Sequence, residues 1–325
     1  MHELVYTSAP KGLKPGSQGF CTVACSVGLP PNLMMRLEAL SSYRHLFPPG
    51  QQSGSVNPVV RSHLILRVGG SDWHVLSRIA DAGIDYTQRS NKIAHHIVLE
   101  SSELPPAGPA ALLACENRFF STWNGEPKVI TKSASFPQIQ SQPKICKSWE
   151  KNTGDAGWGG VLADTVRETR QVNLIVTPEV DAIALFEESL ALLSHDLRWQ
   201  TTLTTYYTRL PSGVGCRWRC IMAGSPEMSQ IALTSDAMII DLTQPLKTPV
   251  PTPLVKVARS GKAPTAFLND RNISGLSATI DAERQYADQF ESASKSQTDD
   301  TPVEMVPVSK PGKKAKTPKR TKHEH

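Results

Sequence analysis

The chain has 325 residues, 39% of them hydrophobic and 20% charged, enough for about two domains with buried cores. Its formal net charge is +5, yet residues 306–325 alone carry seven Lys/Arg against one Glu; the remainder is close to neutral, so the basic character does not mark a nucleic-acid-binding fold. No apolar run approaches the ~18 residues of a membrane span. The N-terminus lacks the apolar core of a signal peptide, and six cysteines without such a signal read as reduced thiols, so the expectation is a cytoplasmic protein.

In chain order, apolar alternation in LVYTSAP (4–10) and GFCTVACSV (19–27) predicts two strands, and Leu33, Leu37 and Leu40 predict a helix over 30–43. VVRSHLILRV (59–68) and WHVLSRIA (73–80) flank GGSD and predict a hairpin with Val68 opposite Trp73. A polar excursion over 81–92 leads to a strand at 93–100, and AALLACE follows as a short helix. Residues 128–156 are polar and aperiodic. Next come a helix at 157–168, a buried strand at 172–177 and a helix over 178–196 with Pro178 in its first turn. Strands at 199–208, 216–224 and 237–243 complete this region. Prolines at 245, 249, 251 and 253 predict an extended linker, DAERQYADQFES a marginal helix, and SKPGKKAKTPKRTKHEH a segment too polar to fold alone.

The expected fold class is α+β, with no internal repeat. A mainly antiparallel sheet module with flanking helices spans 1–127, a linker or long loop 128–156, a second, smaller α/β module 157–244, and a Pro-rich linker with a disordered basic tail 245–325.

The hairpin sorts its side chains by alternation. Leu64, Leu66, Val68, Trp73 and Val75 share one face, while Arg61, His63, Arg67, His74 and Arg78 share the other with Ile65 and Leu76. Guanidinium forks suit phosphate or carboxylate, and imidazoles add pH-dependent charge, so the second face is a candidate anion-binding surface. The plainer reading is a partly solvated face neutralised by Asp81, Asp85 or Glu100. His95 and His96 project to opposite sides: His95 reads as a hydrogen-bonded core residue and His96 as the site candidate. The excursion contributes Asp85, Arg89 and Asn91, because loops on a rigid sheet often carry function.

Cys21/Cys25 and Cys216/Cys220 fall four apart in predicted strands, about 13 Å from end to end. Zinc–sulfur bonds of ~2.3 Å exclude chelation by either pair, so all four read as small buried residues and no metal is expected. The chain has no G-x-x-x-x-G-K-[ST], G-x-S-x-G, H-E-x-x-H or G-x-G-x-x-G, and no cofactor is expected. KGLKPGSQG reads as a strand connection, and Tyr206, Tyr207 and Trp218 as packing residues rather than a base-stacking platform.

LVYTSAPKGLKPGSQGFCTVA, SSYRHLFPPG and LSRIADAGIDYTQRSNKIAHHIVLESSELPPAGPA together resemble the type-two N-terminal module of the bacterial GTPase-associated proteins. DLRWQTTLTTYY, GCRWRC and AMIIDLT are similar to the module that follows it, extending the resemblance over roughly residues 1–245. The resemblance implies membership of NTP-dependent conflict or defence-type systems, in which such proteins accompany a separately encoded GTPase. It carries over no catalytic residue. Longer members continue into further domains, where this chain has its Pro-rich and basic end.

The leading reading is therefore a non-catalytic interaction or adaptor protein with a GTPase partner. The alternative is a nucleotide- or phosphate-binding sensor or hydrolase using the basic face, with Arg78, Arg89 and His96 as phosphate binders or acid–base groups. Weak, salt-dependent polyanion contact through the tail is an accessory expectation, and no membrane partner is expected.

Overall fold

The computed structural model describes residues 1–47, 56–231 and 236–262. The first half supplies strands β1 (His2–Ala9), β2 (Gly19–Ser26), β3 (Val60–Val68), β4 (Ser71–Ile84), β5 (Ser90–Glu100) and β6 (Lys128–Ile130). Two helices accompany them, α1 (Pro31–Leu40) and α2 (Pro109–Leu113). The second half adds α3 (Lys147–Thr153), α4 (Gly157–Arg167), β7 (Val172–Val176), α5 (Ala182–Ala191), α6 (His195–Gln200) and β8 (Leu203–Thr204). It continues through β9 (Trp218–Met222), α7 (Pro226–Ile231), β10 (Met238–Asp241) and α8 (Pro253–Ser260). All ten strands join one mixed sheet in the order β10-β7-β9-β8-β3-β4-β5-β1-β2-β6. The centre is antiparallel, whereas β10-β7-β9-β8 and the β2–β6 pair are parallel. The α+β class expected from the sequence is what forms.

The first hairpin turns more tightly than expected. Gly69 and Gly70 take φ of 63° and 83°, the paired positive angles that two-residue turns require, so Val68 faces Ser71 rather than Trp73. This moves the register by two residues, and because side chains alternate with period two, both faces keep their expected membership. Leu64, Leu66 and Val75 pack with Leu4, Cys25 and Val98 beneath Leu33, Leu37 and Leu40 of α1. Arg61 stands directly opposite Arg78 on the reverse face.

Four local expectations change. The strand read at 199–208 shrinks to Leu203–Thr204, because 195–200 is helical. Tertiary contacts override the β pattern there: Trp199 is buried, and Arg198 donates to the carbonyls of Leu190, Leu193 and Ala191 at the end of α5. Pro178 lies outside the helix it was expected to open; Asp181 caps α5 by accepting from Ala184 N. The span read as a linker contains β6 and α3, and Cys146 and Trp149 within it are fully buried.

Finally, the start of the Pro-rich segment holds α8, capped by Thr252 and closed by Gly261 at φ 68°. Its Leu254, Val255, Val257 and Ala258 are buried, and Arg259 grips Asp155 through two bonds of 2.8 and 2.7 Å. The marginal helix and the disordered tail expected from residue 263 onward lie outside the described residues.

The α4–α8 contact depends on Gly160, where an added Cβ would overlap the backbone at Val255 N and Leu254 C. Gly160→Ala is expected to cost about 1–3 kcal/mol, as overpacking does when backbone is the obstacle. Gly215→Ala, where a Cβ meets nothing within 4 Å, should stay within about 0.5 kcal/mol. Equal melting temperatures for the two variants would show that this contact does not constrain the fold.

Candidate functional site

The polar face of the hairpin divides into rows across the sheet. Nearest the turn, Arg67 is exposed, with Nε 4.0 Å from Asp72. Further in, His63 and His74 form a hydrogen-bonded imidazole pair. His63 Nδ1 lies 2.8 Å from the carbonyl oxygen of Thr201 and must donate to it, so its Nε2 accepts from His74 Nδ1–H at 3.1 Å. The rings lie within 4° of parallel, and both meet Trp199 nearly perpendicularly. Burial, then the neighbouring His74, pushes the His63 pKa down to about 3; burial brings His74 to about 4. Both rings are therefore neutral.

The next row runs from Arg61 through Arg78 to His95. Arg61 ion-pairs with Glu116, and Arg78 donates to the carbonyl of Phe120 at 3.4 Å. His95 Nδ1 accepts from Phe120 N at 3.1 Å, which leaves Nε2–H to donate to Glu3 Oε2 at 2.9 Å. Arg118 completes the cluster with bonds of 2.7 and 3.3 Å to the two oxygens of Glu3. Burial alone would raise the Glu3 carboxyl, but hydrogen bonds from His95 and Arg118 outweigh it and hold the pKa at about 2. Burial keeps His95 neutral, so the charged partners are Glu3 and Arg118.

The other candidates stand elsewhere. Asp85 closes the β4–β5 loop: Oδ1 accepts from Thr87 Oγ1, Thr87 N and Arg89 N, and Oδ2 from Ser8 Oγ at 2.7 Å. Those bonds, the Thr87 hydroxyl foremost, hold its carboxyl well below the usual carboxylate range. Arg89 is exposed and donates to Thr87 Oγ1. Asn91 ties the loop to β1 by accepting from Ser8 N at 3.1 Å. His96 is fully buried on the opposite face between the hydroxyls of Ser41 (2.9 Å) and Ser77 (2.8 Å), and burial lowers its pKa to about 3. The structure thus brings Arg61 to Arg78 and His63 to His74, and sets Arg67, the Asp85 loop and His96 apart from both pairs.

On this face Arg61 pairs with Glu116 and Arg67 lies against Asp72, while Glu3 pairs with Arg118 beside it; Asp81 is engaged by His45 and Asn57, and Asp85 by its own loop. Beside Glu3 and Arg118 opens a cleft of about 460 Å³, lined also by Asn117, Phe120, Lys128 and Lys132. None of these is marked in the sequence. Glu3 sits in an apolar alternation, and Lys128 and Lys132 in the aperiodic span. One signal was present: a strand that places Glu3 among inward-facing residues demands a buried cation for it. Among the described residues, no group of three or more His, Cys, Asp or Glu could hold a metal ion.

A two-part α+β assembly results, in which buried polar residues chiefly join one segment to another. Residues 1–135 match the model for the N-terminal domain, type 2, of GTPase-associated protein 1, and residues 146–244 match that for its middle domain. The chain belongs to the GTPase-associated protein family. No curated protein matches it, and no solved structure does.

Two outcomes test this reading of the site. Glu3→Gln leaves the partly buried Arg118 without its counter-charge and is expected to lower stability by about 1–3 kcal/mol in denaturant titrations. Separately, the unfolded chain takes up protons below the ordinary histidine value of 6.5, while the folded His63 and His74 refuse them down to about 3 and 4. Stability should be fully present above pH 6.5 and be lost as the pH falls towards 4. The His63→Gln, His74→Gln double variant should flatten that slope; an unchanged slope would refute the neutral pair.

Proposed function

We propose that the chain is a non-catalytic adaptor that binds a separately encoded GTPase within a bacterial NTP-dependent conflict system in the cytoplasm. Both matching domain models carry a GTPase association in their descriptions, which supports a GTPase as the partner. The observation that carries the adaptor reading is the internal commitment of the candidate polar residues. His96 is enclosed by two serines, Arg78 is bonded to a backbone carbonyl, and His63 joins β3 to the segment entering β8. Such residues build a rigid platform, here proposed as modules over 1–127 and 157–244 with the Pro-rich and basic end as an accessory polyanion contact.

The test is retention of a purified candidate GTPase on the immobilised full chain, in GTP-analogue, GDP and nucleotide-free states. Retention that differs by about tenfold between nucleotide states is expected, the scale of ordinary allosteric coupling. No retention in any state would refute the adaptor reading. Stoichiometric nucleotide binding by this chain alone would favour a sensor instead.

A further inference from the structure

The sheet ends at β6, and three independent features coincide there. The first is backbone. Ile130 turns its carbonyl to β2, accepting from Val27 N at 3.0 Å. Successive residues of a strand face opposite edges, so the N–H and C=O of Val129 point to the side that no strand covers among the described residues. The second is apolar exposure. Val129 is 55% and Val27 61% exposed, and the bond between Val27 and Ile130 makes them neighbours on this edge. The third is charge. Arg118, Lys128 and Lys132 line the adjoining cleft, and Glu3 offsets only Arg118. Among the described residues neither lysine has a carboxylate partner, which leaves two uncompensated positive charges. Lys128 is also positioned: its ammonium lies 5.7 and 5.5 Å from the ring centres of Phe120 and Trp123.

An unpaired backbone edge, an apolar centre and a cationic rim are the parts of a peptide-accepting surface. We infer that the β6 edge docks an extended acidic segment of the partner GTPase, which adds beside Val129 and sets its carboxylates on Lys128 and Lys132. A short, lysine-bearing edge also discourages indiscriminate strand addition. The same lysines select here, because only an acidic strand offsets them. The inference rests on the adaptor reading and supplies its contact site.

The experiment compares the wild-type full chain with K128E/K132E for affinity towards the GTPase, by calorimetry at low and high salt. Wild-type affinity should weaken with salt, and charge reversal should reduce it by about tenfold or more, as loss of complementary charge does. Lys151→Glu with Lys256→Glu, on α3 and α8, should leave it unchanged. Val129→Pro, which removes the outward N–H, should weaken binding while circular dichroism confirms the fold. If the wild type binds in no nucleotide state, the adaptor reading fails and this one with it. If the wild type binds and K128E/K132E binds equally, the adaptor reading stands and the β6 assignment falls. Carbodiimide coupling should join Lys128 or Lys132 to GTPase carboxylates. A link to a second copy, or to residues 263–325 of the same chain, would give the cleft another occupant and overturn the inference.

Discussion

An interior strand must satisfy hydrogen-bonding neighbours on both edges at once, and in this protein that demand falls on β3. Along one edge it pairs with β4 over its whole length; along the other, Ser62 and His63 meet Thr204 and Leu203 of β8. Thr205 extends the second seam, donating to Arg61 O and accepting from Arg61 N through its hydroxyl, both at 2.9 Å. Around it, Trp199 Nε1 donates to Pro105 O, and Arg198 reaches Pro106 O. The two family domains are joined by main chain, imidazole, indole and guanidinium together. A slip of β3 by one residue would turn His63 away from Thr201 and expose the leucines packed under α1, so seam and core fix the same register.

The buried histidines behind this seam and the Glu3 carboxylate differ in how their hydrogen bonds are met: imidazoles with neutral partners stay neutral, whereas Glu3 keeps an ionised partner. His63, His74 and His96 find carbonyl, imidazole or hydroxyl partners and remain uncharged. The Glu3 carboxyl lies against a guanidinium and ionises. Replacing a buried ion pair by apolar residues is often harmless to stability, so Glu3–Arg118 contributes chiefly by fixing where residues 117–120 cross the sheet.

The sheet faces were legible because alternation survives an even shift: the turn is two residues tighter than the spacing predicts, which sets Arg61 rather than His63 opposite Arg78, yet all three keep to the same face. Leu33, Leu37 and Leu40 announced α1 by spacing alone. What stayed hidden depends on residues distant in sequence. The TLTT alternation around 202–205 reads as a long strand until Arg198 and Trp199 pull the preceding turn into a helix. The Thr252–Pro253 start and Gly261 stop of α8 were written in the chain, but repeated proline masked them. At the site, the basic residues were visible, and their partners Glu116, Glu3 and Thr201 were not, since those pairings span 55 to 138 positions of sequence.

The seam also bears on how the chain is made. When residues 1–135 leave the ribosome, β3 can already pair with β4, but β8 lies some 140 positions later, and long-range strand pairing forms slowly. Until it arrives, the outer margin of β3 is bare and Arg61 lacks the hydroxyl that later accepts its N–H. The first domain therefore passes through an interval in which the surface later closed by β8 is open to other strands. Translation speed across 136–205, rather than final stability, sets the length of that exposure.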